Sequence, residues 1–282
     1  MRPSSLYHAV NMKTSLILAL LFIMVPSLFA DDRDNSKSAG SAAWIKPQFD
    51  VEFAKEIKSL GDHPWAGVYI MPTVGDFVQL SLAPKAGVFY QSDGCFSFHQ
   101  NYGLVTCTHG ILHLNFPFQT EKTYQPRETD YFPIQWKGTR YLVATNGIIS
   151  FCNDINSGLS GEFNYLRSRE GHLESAPGFP FPAEYQQYIL KQPVEATIIN
   201  VLPRTMQPGI MNQKDTPVIV NKGKADGLRV GMLLHVTERK NPGEPIRLVS
   251  VGEQESKGFL DNFGTRPPQA GWHASTRSPR AK

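Results

Sequence analysis

The sequence predicts a mainly β protein: an N-terminal antiparallel meander or barrel with one or two flanking helices, followed by a second, smaller β-barrel domain. Beyond Pro64, short apolar stretches alternate with polar residues, as in strands that bury one face. The chain contains 21 Pro and 23 Gly among 282 residues, which favours frequent turns over long helices. Its 17 Phe residues suit strands and barrel interiors.

The N-terminus has the features of an export signal. Arg2 and Lys13 provide positive charge, residues 16–25 form an uninterrupted apolar stretch, and the small residue Ala30 precedes the first acidic residues. The apolar stretch is too short to span a bilayer comfortably, so a cleaved signal peptide over 1–30 is favoured over an uncleaved anchor. We therefore expect an exported protein, periplasmic or extracellular, that begins with a flexible leader over 31–48.

The charge balance argues against a nucleic-acid partner. Once Arg2 and Lys13 are removed with the signal, 26 basic and 25 acidic side chains remain. A nucleic-acid binder needs a basic face that displaces counterions, and this balance does not supply one. The segment 261–282 is nevertheless basic after its first residue, and we expect it to be a solvated, flexible tail. Membrane contact is expected only through this tail or through an uncleaved signal.

Residues 49–160 are assigned to the first domain. A helix is predicted from Asp50 to Leu60, with one apolar face and Asp50 as its N-cap. Short strands follow, separated by turns at 83–87, 92–94, 101–103 and 109–110. A further hairpin is centred on Lys137-Gly138, and a second helix is predicted over 146–156. This succession is typical of an up-and-down antiparallel sheet or barrel.

Several motifs within 64–118 resemble those of lipocalin-like small barrels. They are Trp65-x-Gly67-x-Tyr69, Leu80-x-Leu82, Ala86-Gly87-Val88-Phe89, Gly103-Leu104-Val105 and Gly110-Ile111-Leu112-x-Leu114. The resemblance implies a first strand bearing Trp and Gly, followed by alternating apolar strands. The chain is also similar to a group of secreted bacterial proteins whose activity is uncharacterised, so this likeness implies no reaction.

The second domain, 193–260, is predicted to follow a Gly/Pro-rich linker over 161–192. Its most informative motif is Gly223-x3-Gly227-Leu228-x-Val230-Gly231-Met232. This motif resembles the small C-terminal β-barrels of flagellar-assembly and cell-envelope proteins, which implies a non-catalytic assembly or interaction module. It is also similar to part of a PDZ domain, but Met232 stands where the PDZ pattern has Asp, so the small barrel is preferred.

The richest cluster of reactive side chains combines cysteine and histidine. Its members are candidate metal ligands, because Cys and His are the usual ligands of zinc: Cys95, His99, Cys107, His109 and His113. A disulfide between Cys95 and Cys107 is favoured over a metal site, since a turn at 101–103 would place them opposite each other on neighbouring strands. An oxidising compartment would allow this bond to form. The third cysteine, Cys152, is expected to be buried.

Aromatic side chains of the first domain could line a ligand cavity. The chief candidates are Trp65, Tyr69, Phe89, Phe96 and Phe98, together with Tyr90, Phe116 and Phe118. No catalytic residue and no cofactor is assigned, because the sequence lacks a nucleophile elbow, a metalloprotease motif and a phosphate-binding loop.

The sequence therefore favours a non-catalytic binding or interaction module of the bacterial envelope. Its expected partner is an unknown protein or a small apolar ligand held by the first barrel. Two alternatives remain open: a metal-assisted hydrolase that uses the Cys/His strands, and a structural component of the envelope.

Overall fold

A computed structural model describes the chain over 46–72, 77–94, 97–117, 126–159, 165–169, 179–203, 205–206, 214–238, 245–260 and 267–280. The predicted signal peptide and most of the predicted leader lie outside these residues. The described residues all belong to one compact unit that covers 44–282.

The first domain is a closed, eight-stranded antiparallel barrel, which confirms the predicted fold class. Its strands follow one another in chain order: β1 (Gly67–Pro72), β2 (Phe77–Ala83), β3 (Gly87–Gly94), β4 (Ser97–Thr108), β5 (Ile111–Asn115), β6 (Asp130–Trp136), β7 (Thr139–Ala144) and β8 (Leu166–Ser168). The barrel closes where Tyr69 of β1 pairs with Ser168 of β8. Alternate residues fill the interior, among them the fully buried Leu80, Leu82 and Leu112.

The predicted turn at 101–103 is wrong, because β4 continues through it as a single strand of 12 residues. Asn101 pairs with Tyr90, and Gly103 pairs with Val88 on the neighbouring strand. Gly103 serves close strand packing here, since a Cβ at this position would overlap the carbonyl oxygen of Asn115. In this chain the Asn101-Tyr102-Gly103 sequence is therefore part of a long strand, and its glycine lies where two backbones approach closely.

Helix α1 (Lys46–Leu60) begins earlier than the predicted start at Asp50. Pro47 occupies its first turn, where the missing backbone N–H is not needed for the helix. Phe49 packs on the outer face of the barrel, with its ring centroid 5.8 Å from that of Phe89. Glu56 accepts the backbone N–H groups of Lys85 and Ala86 in the β2–β3 turn, at 2.9 and 2.7 Å. The helix is thereby fixed to the end of the barrel that carries this turn.

The second predicted helix is present as a 3-10 turn (Thr145–Gly147) that leads into α2 (Ile148–Ser157). Gly158, which adopts a left-handed conformation with φ 72°, ends the helix after Ser157, one residue beyond the predicted end at 156. The buried face of α2 packs on β6 and β7 through Ile148 and Phe151. Helix α2 thus covers part of the outer wall of the first barrel.

The second domain is also a closed antiparallel barrel, in which six strands form the ring. Its strands are β9 (Glu195–Val201), β10 (Thr205–Met206), β11 (Lys214–Val220), β12 (Leu233–Val236), β13 (Pro245–Val251), β14 (Ser256–Leu260) and β15 (His273–Ser275). The order is β10-β11-β14-β13-β12-β15-β9, and a β9–β11 pairing closes the ring while β10 extends it on one side. The most buried core residues include Ile198, Leu234 and Ile246.

Two predicted connecting segments contain strands of the barrels. The predicted linker, 161–192, contains β8, which completes the first barrel, and a 3-10 helix at Ala183–Tyr188. The predicted tail, 261–282, contains β15, which pairs with both β12 and β9. Ala274 of this strand is fully buried, so this part of the chain belongs to the core of the second barrel. The predicted flexible tail is therefore wrong for 273–275.

Helix α2 also forms the junction between the two barrels. The side-chain amide of Asn153 donates to the Gly231 carbonyl oxygen at 2.9 Å and accepts the Leu233 N–H at 3.1 Å. One turn further on, the Ser157 carbonyl oxygen accepts the Ser278 N–H at 2.9 Å. The second barrel is thus bound to the helix that covers the first.

Candidate functional site

The first barrel contains a cavity of about 410 Å³ at one end, which we call the mouth. At the mouth β1 ends, β2 begins and β7 leads into α2. The cavity is lined by the barrel, the loop before β6 and the start of α2: Met71, Val78, Tyr90, Pro126, Arg127, Glu128, Tyr131, Leu142, Ala144, Gly147, Ser150, Tyr165 and Leu166. Its volume lies in the range of about 300–1,000 Å³ that is usual for small-molecule sites.

The inner wall of the cavity is apolar and aromatic. Tyr90, Tyr131 and Leu142 belong to the buried core of the barrel, and Met71 and Val78 pack against that core. The register of the strands brings these residues to one face, since Tyr131 pairs with Ala144 and Met71 pairs with Val78. A ligand here would contact hydrocarbon and the rings of tyrosine on most of its surface.

Hydrogen bonds fix the polar groups of the mouth. The Tyr131 hydroxyl donates to the backbone carbonyl oxygen of Glu128 at 3.0 Å. The Glu128 carboxylate accepts the side-chain amide of Asn146 at 2.8 Å, which holds it beside the start of α2. The loop before β6 is therefore bound both to a barrel strand and to the segment that begins α2.

Two cavity tyrosines, Tyr131 and Tyr165, are uncharged over the whole physiological pH range. Burial, and then the Glu128 carboxylate and Tyr90, raise the pKa of Tyr131 well above its usual value. Burial likewise raises the pKa of Tyr165, whose hydroxyl bonds with Ser150 and Asp154. Burial also raises the pKa of Asp154. These hydroxyls can donate or accept hydrogen bonds, but they do not provide a charge.

Among the described members of the aromatic set predicted to line a cavity, Tyr90 alone does so. Trp65 and Tyr69 fill the barrel core, where the Tyr69 hydroxyl donates to the Trp65 carbonyl oxygen at 2.8 Å. Phe116 is also in this core. Phe89 faces the opposite side of the sheet and packs on α1, and Phe98 is 55% exposed. Phe96 and Phe118 lie outside the described residues.

Half of the cavity residues that sequence reasoning missed lie outside the strands. Pro126, Arg127 and Glu128 precede β6, and Gly147 and Ser150 lie where α2 begins. Strand periodicity carries no information about such segments. The pairing of Tyr131 with Ala144 could have been predicted, because the two-residue turn at 137–138 sets the register that places them opposite each other.

The predicted disulfide between Cys95 and Cys107 is not present, since Cys107 is a free thiol. Cys95 itself lies outside the described residues, but its neighbours Gly94 and Ser97 pair with each other at the start of β4. Cys107 lies near the other end of the same strand, and at the usual rise per strand residue it is about 33 Å from Ser97. The prediction failed because it required a turn at 101–103.

The candidate metal ligands are spread along β4 and β5. His99 pairs with Ser92, His109 lies in the β4–β5 turn with φ 53°, and His113 pairs with Thr106. His113 Nδ1 lies 2.8 Å from Asp130 Oδ1, and both side chains are partly exposed on the outer face of the barrel. Within the described part of the chain, no three His, Cys, Asp or Glu side chains form a group that could hold a metal ion.

The two described cysteines should differ sharply in reactivity. We expect a maleimide to label Cys107 in the native protein and Cys152 only after unfolding, because Cys107 is exposed and Cys152 is buried. Partial burial raises the pKa of Cys107, and fuller burial raises the pKa of Cys152 to about 12. The labelling rate of Cys107 should therefore still increase with pH above the usual thiol pKa, because the thiolate is the reactive form.

Peptide mass mapping after labelling under non-reducing conditions measures both sites. A Cys107 that stays unlabelled until a reductant is added would contradict the free thiol and restore the disulfide. The Cys107→Ser variant serves as the control, since it should lose only the native-state label.

Comparison with known proteins gives no match for this chain: no family model fits it, and no curated protein or solved structure is similar to it. Among the described helices, none combines the length and apolar character needed to cross a membrane.

Proposed function

We propose that the protein is an exported, non-catalytic binding module of the bacterial envelope whose first barrel holds a small, largely apolar ligand. The observation that carries this proposal is the cavity of about 410 Å³ at the mouth, lined by apolar and tyrosine side chains. The signal peptide predicted from the sequence of 1–30 supports export. The second barrel, bound to α2, adds a further domain to the same unit.

The size and lining of the cavity favour binding over a reaction. A reaction would need a nucleophile or general base positioned at the ligand. The described titratable groups that line the cavity are three tyrosines, with Arg127 and Glu128 at its edge, and burial raises the pKa of Tyr131 and Tyr165. Hydrocarbon and phenol groups supply affinity and orientation, which suits a carrier or sensor.

Binding can be measured with N-phenylnaphthylamine, an uncharged apolar fluorophore that brightens when it enters an apolar site. We expect the purified protein to bind it at one site, and decanol to displace it. The Ala144→Phe variant fills part of the cavity, so its dissociation constant for the probe should rise by at least about tenfold.

The matched control is Ala86→Phe, which adds the same side chain in the β2–β3 turn at the opposite end of the barrel. It should leave probe binding unchanged. Equal binding by both variants and the unmodified protein would place the probe elsewhere, and an absence of saturable binding would overturn the proposal.

A further inference from the structure

The electrostatic character of the mouth limits which ligands can enter the cavity. Three charged residues of the described part of the chain lie at or near it: Arg127 and Glu128 line its edge, and Asp154 bonds with the cavity residue Tyr165. Two of these three charges are negative. Their effect on a ligand depends on how far water screens each of them.

Glu128 is the negative charge that acts most directly on the cavity. Its side chain is partly buried, and the bond to Asn146 Nδ2 at 2.8 Å holds it in place. The Glu128 backbone carbonyl oxygen accepts the Tyr131 hydroxyl at 3.0 Å, so the backbone of Glu128 is held beside the phenol of the inner wall. Glu128 itself lines the edge of the cavity, where its carboxylate is bonded to Asn146.

Arg127 is placed less favourably for compensating that charge. Its side chain is exposed, so water and salt screen it more strongly than they screen the partly buried carboxylate. Burial and the Glu128 charge both raise the pKa of Tyr131, so a negative charge is disfavoured at this phenol. A carboxylate group of a ligand at the same place would meet the same two penalties.

We infer that the cavity takes uncharged amphiphiles in preference to carboxylates, and that Glu128 is the residue that sets this preference. The ligand places its apolar body against the hydrocarbon of the inner wall and its hydroxyl or carbonyl group among the tyrosine hydroxyls. This inference rests on the proposed binding function of the same cavity.

The test compares three ligands with the same ten-carbon chain, decanol, decanoate and protonated decylamine, as competitors of N-phenylnaphthylamine. Decanol should bind at least about tenfold more tightly than decanoate. The Glu128→Gln variant keeps an oxygen acceptor for Asn146 and removes the charge. Relative to decanol measured in the same variant, it should tighten decanoate binding about three- to tenfold and weaken decylamine binding by a similar factor.

If decanoate bound as tightly as decanol, and Arg127→Gln rather than Glu128→Gln changed its affinity, the cavity would accept acids through Arg127 and the inference would be overturned. An unchanged gap between decanol and decanoate in Glu128→Gln would also overturn it. If the probe bound but Ala144→Phe left it unaffected, or no probe bound, the proposed function itself would fail. Unchanged thermal unfolding of Glu128→Gln is the check that its fold is intact.

Discussion

Replacing Gly87 by alanine should lower the free energy of unfolding by about 3–5 kcal/mol, since strain and overpacking act together. Gly87 begins β3 with φ +91°, a conformation that a residue with a Cβ rarely adopts. A Cβ at this position would also overlap the backbone carbonyl oxygen of Gly103 in β4. Backbone atoms cannot move aside as a flexible side chain can, so the two strands would have to separate.

Strand separation at Gly87 would extend to a third strand. Gly103 is itself packed against the Asn115 carbonyl oxygen of β5, where a Cβ would overlap as well. The three strands therefore approach one another through glycine at two successive contacts. Denaturant unfolding followed by tryptophan fluorescence measures the loss, and the midpoint of the transition should fall.

Gly271→Ala provides a matched control for the strain alone. Gly271 has the same φ of +91°, but nothing lies within 4 Å of the position where its Cβ would be. Its replacement should cost only the conformational strain of about 1–2 kcal/mol. If the two variants lost the same free energy of unfolding, the close approach between Gly87 and Gly103 would not contribute to the effect of Gly87→Ala.

The sequence predicted the fold class because local patterns dominate a meander. The hairpin at Lys137-Gly138 illustrates this, since both residues adopt positive φ, 48° and 78°, as a two-residue turn requires. Once that turn is placed, the pairings from Trp136–Thr139 to Tyr131–Ala144 follow by counting. Local turn chemistry therefore determined a whole pair of strands.

The errors arise where pairing is long-range. A sequence of Asn101, Tyr102 and Gly103 has the composition of a turn, and only its pairing with Val88 to Tyr90 shows that it is a strand. Strands β8 and β15 have three residues each, too few to show a period, and each is positioned by neighbours far away in the chain. Most of the cavity lining escaped prediction for the same reason, because it combines loop, helix and strand residues that meet only in the closed barrel.

The second large effect is expected at Asn153, where the side-chain amide joins α2 to the second barrel. Asn153 is 7% exposed and bonds with Gly231 and Leu233 through both of its polar atoms. The Asn153→Ala variant would leave one carbonyl oxygen and one N–H without these partners. We expect a loss of about 2–4 kcal/mol from this junction, since each unsatisfied buried backbone group costs about 1–3 kcal/mol.

The loss should change the form of unfolding as well as its midpoint. In the unmodified protein α2 packs on the first barrel and bonds to the second, so we expect both to unfold in one thermal transition. Asn153→Ala should divide it into two, because the second barrel retains its own closed ring and core. Calorimetry resolves the two cases directly.

Asn156→Ala is the control one turn along the same helix. Asn156 makes an equivalent pair of bonds, to the Tyr188 carbonyl oxygen at 2.8 Å and the Leu190 N–H at 2.9 Å, but it is less buried and binds the connecting segment before β9. Its replacement should cost about 1 kcal/mol, because water can partly satisfy the groups it leaves. A single transition in both variants would show that Asn153 does not couple the barrels, whereas division only in Asn153→Ala would show that the junction depends on this amide.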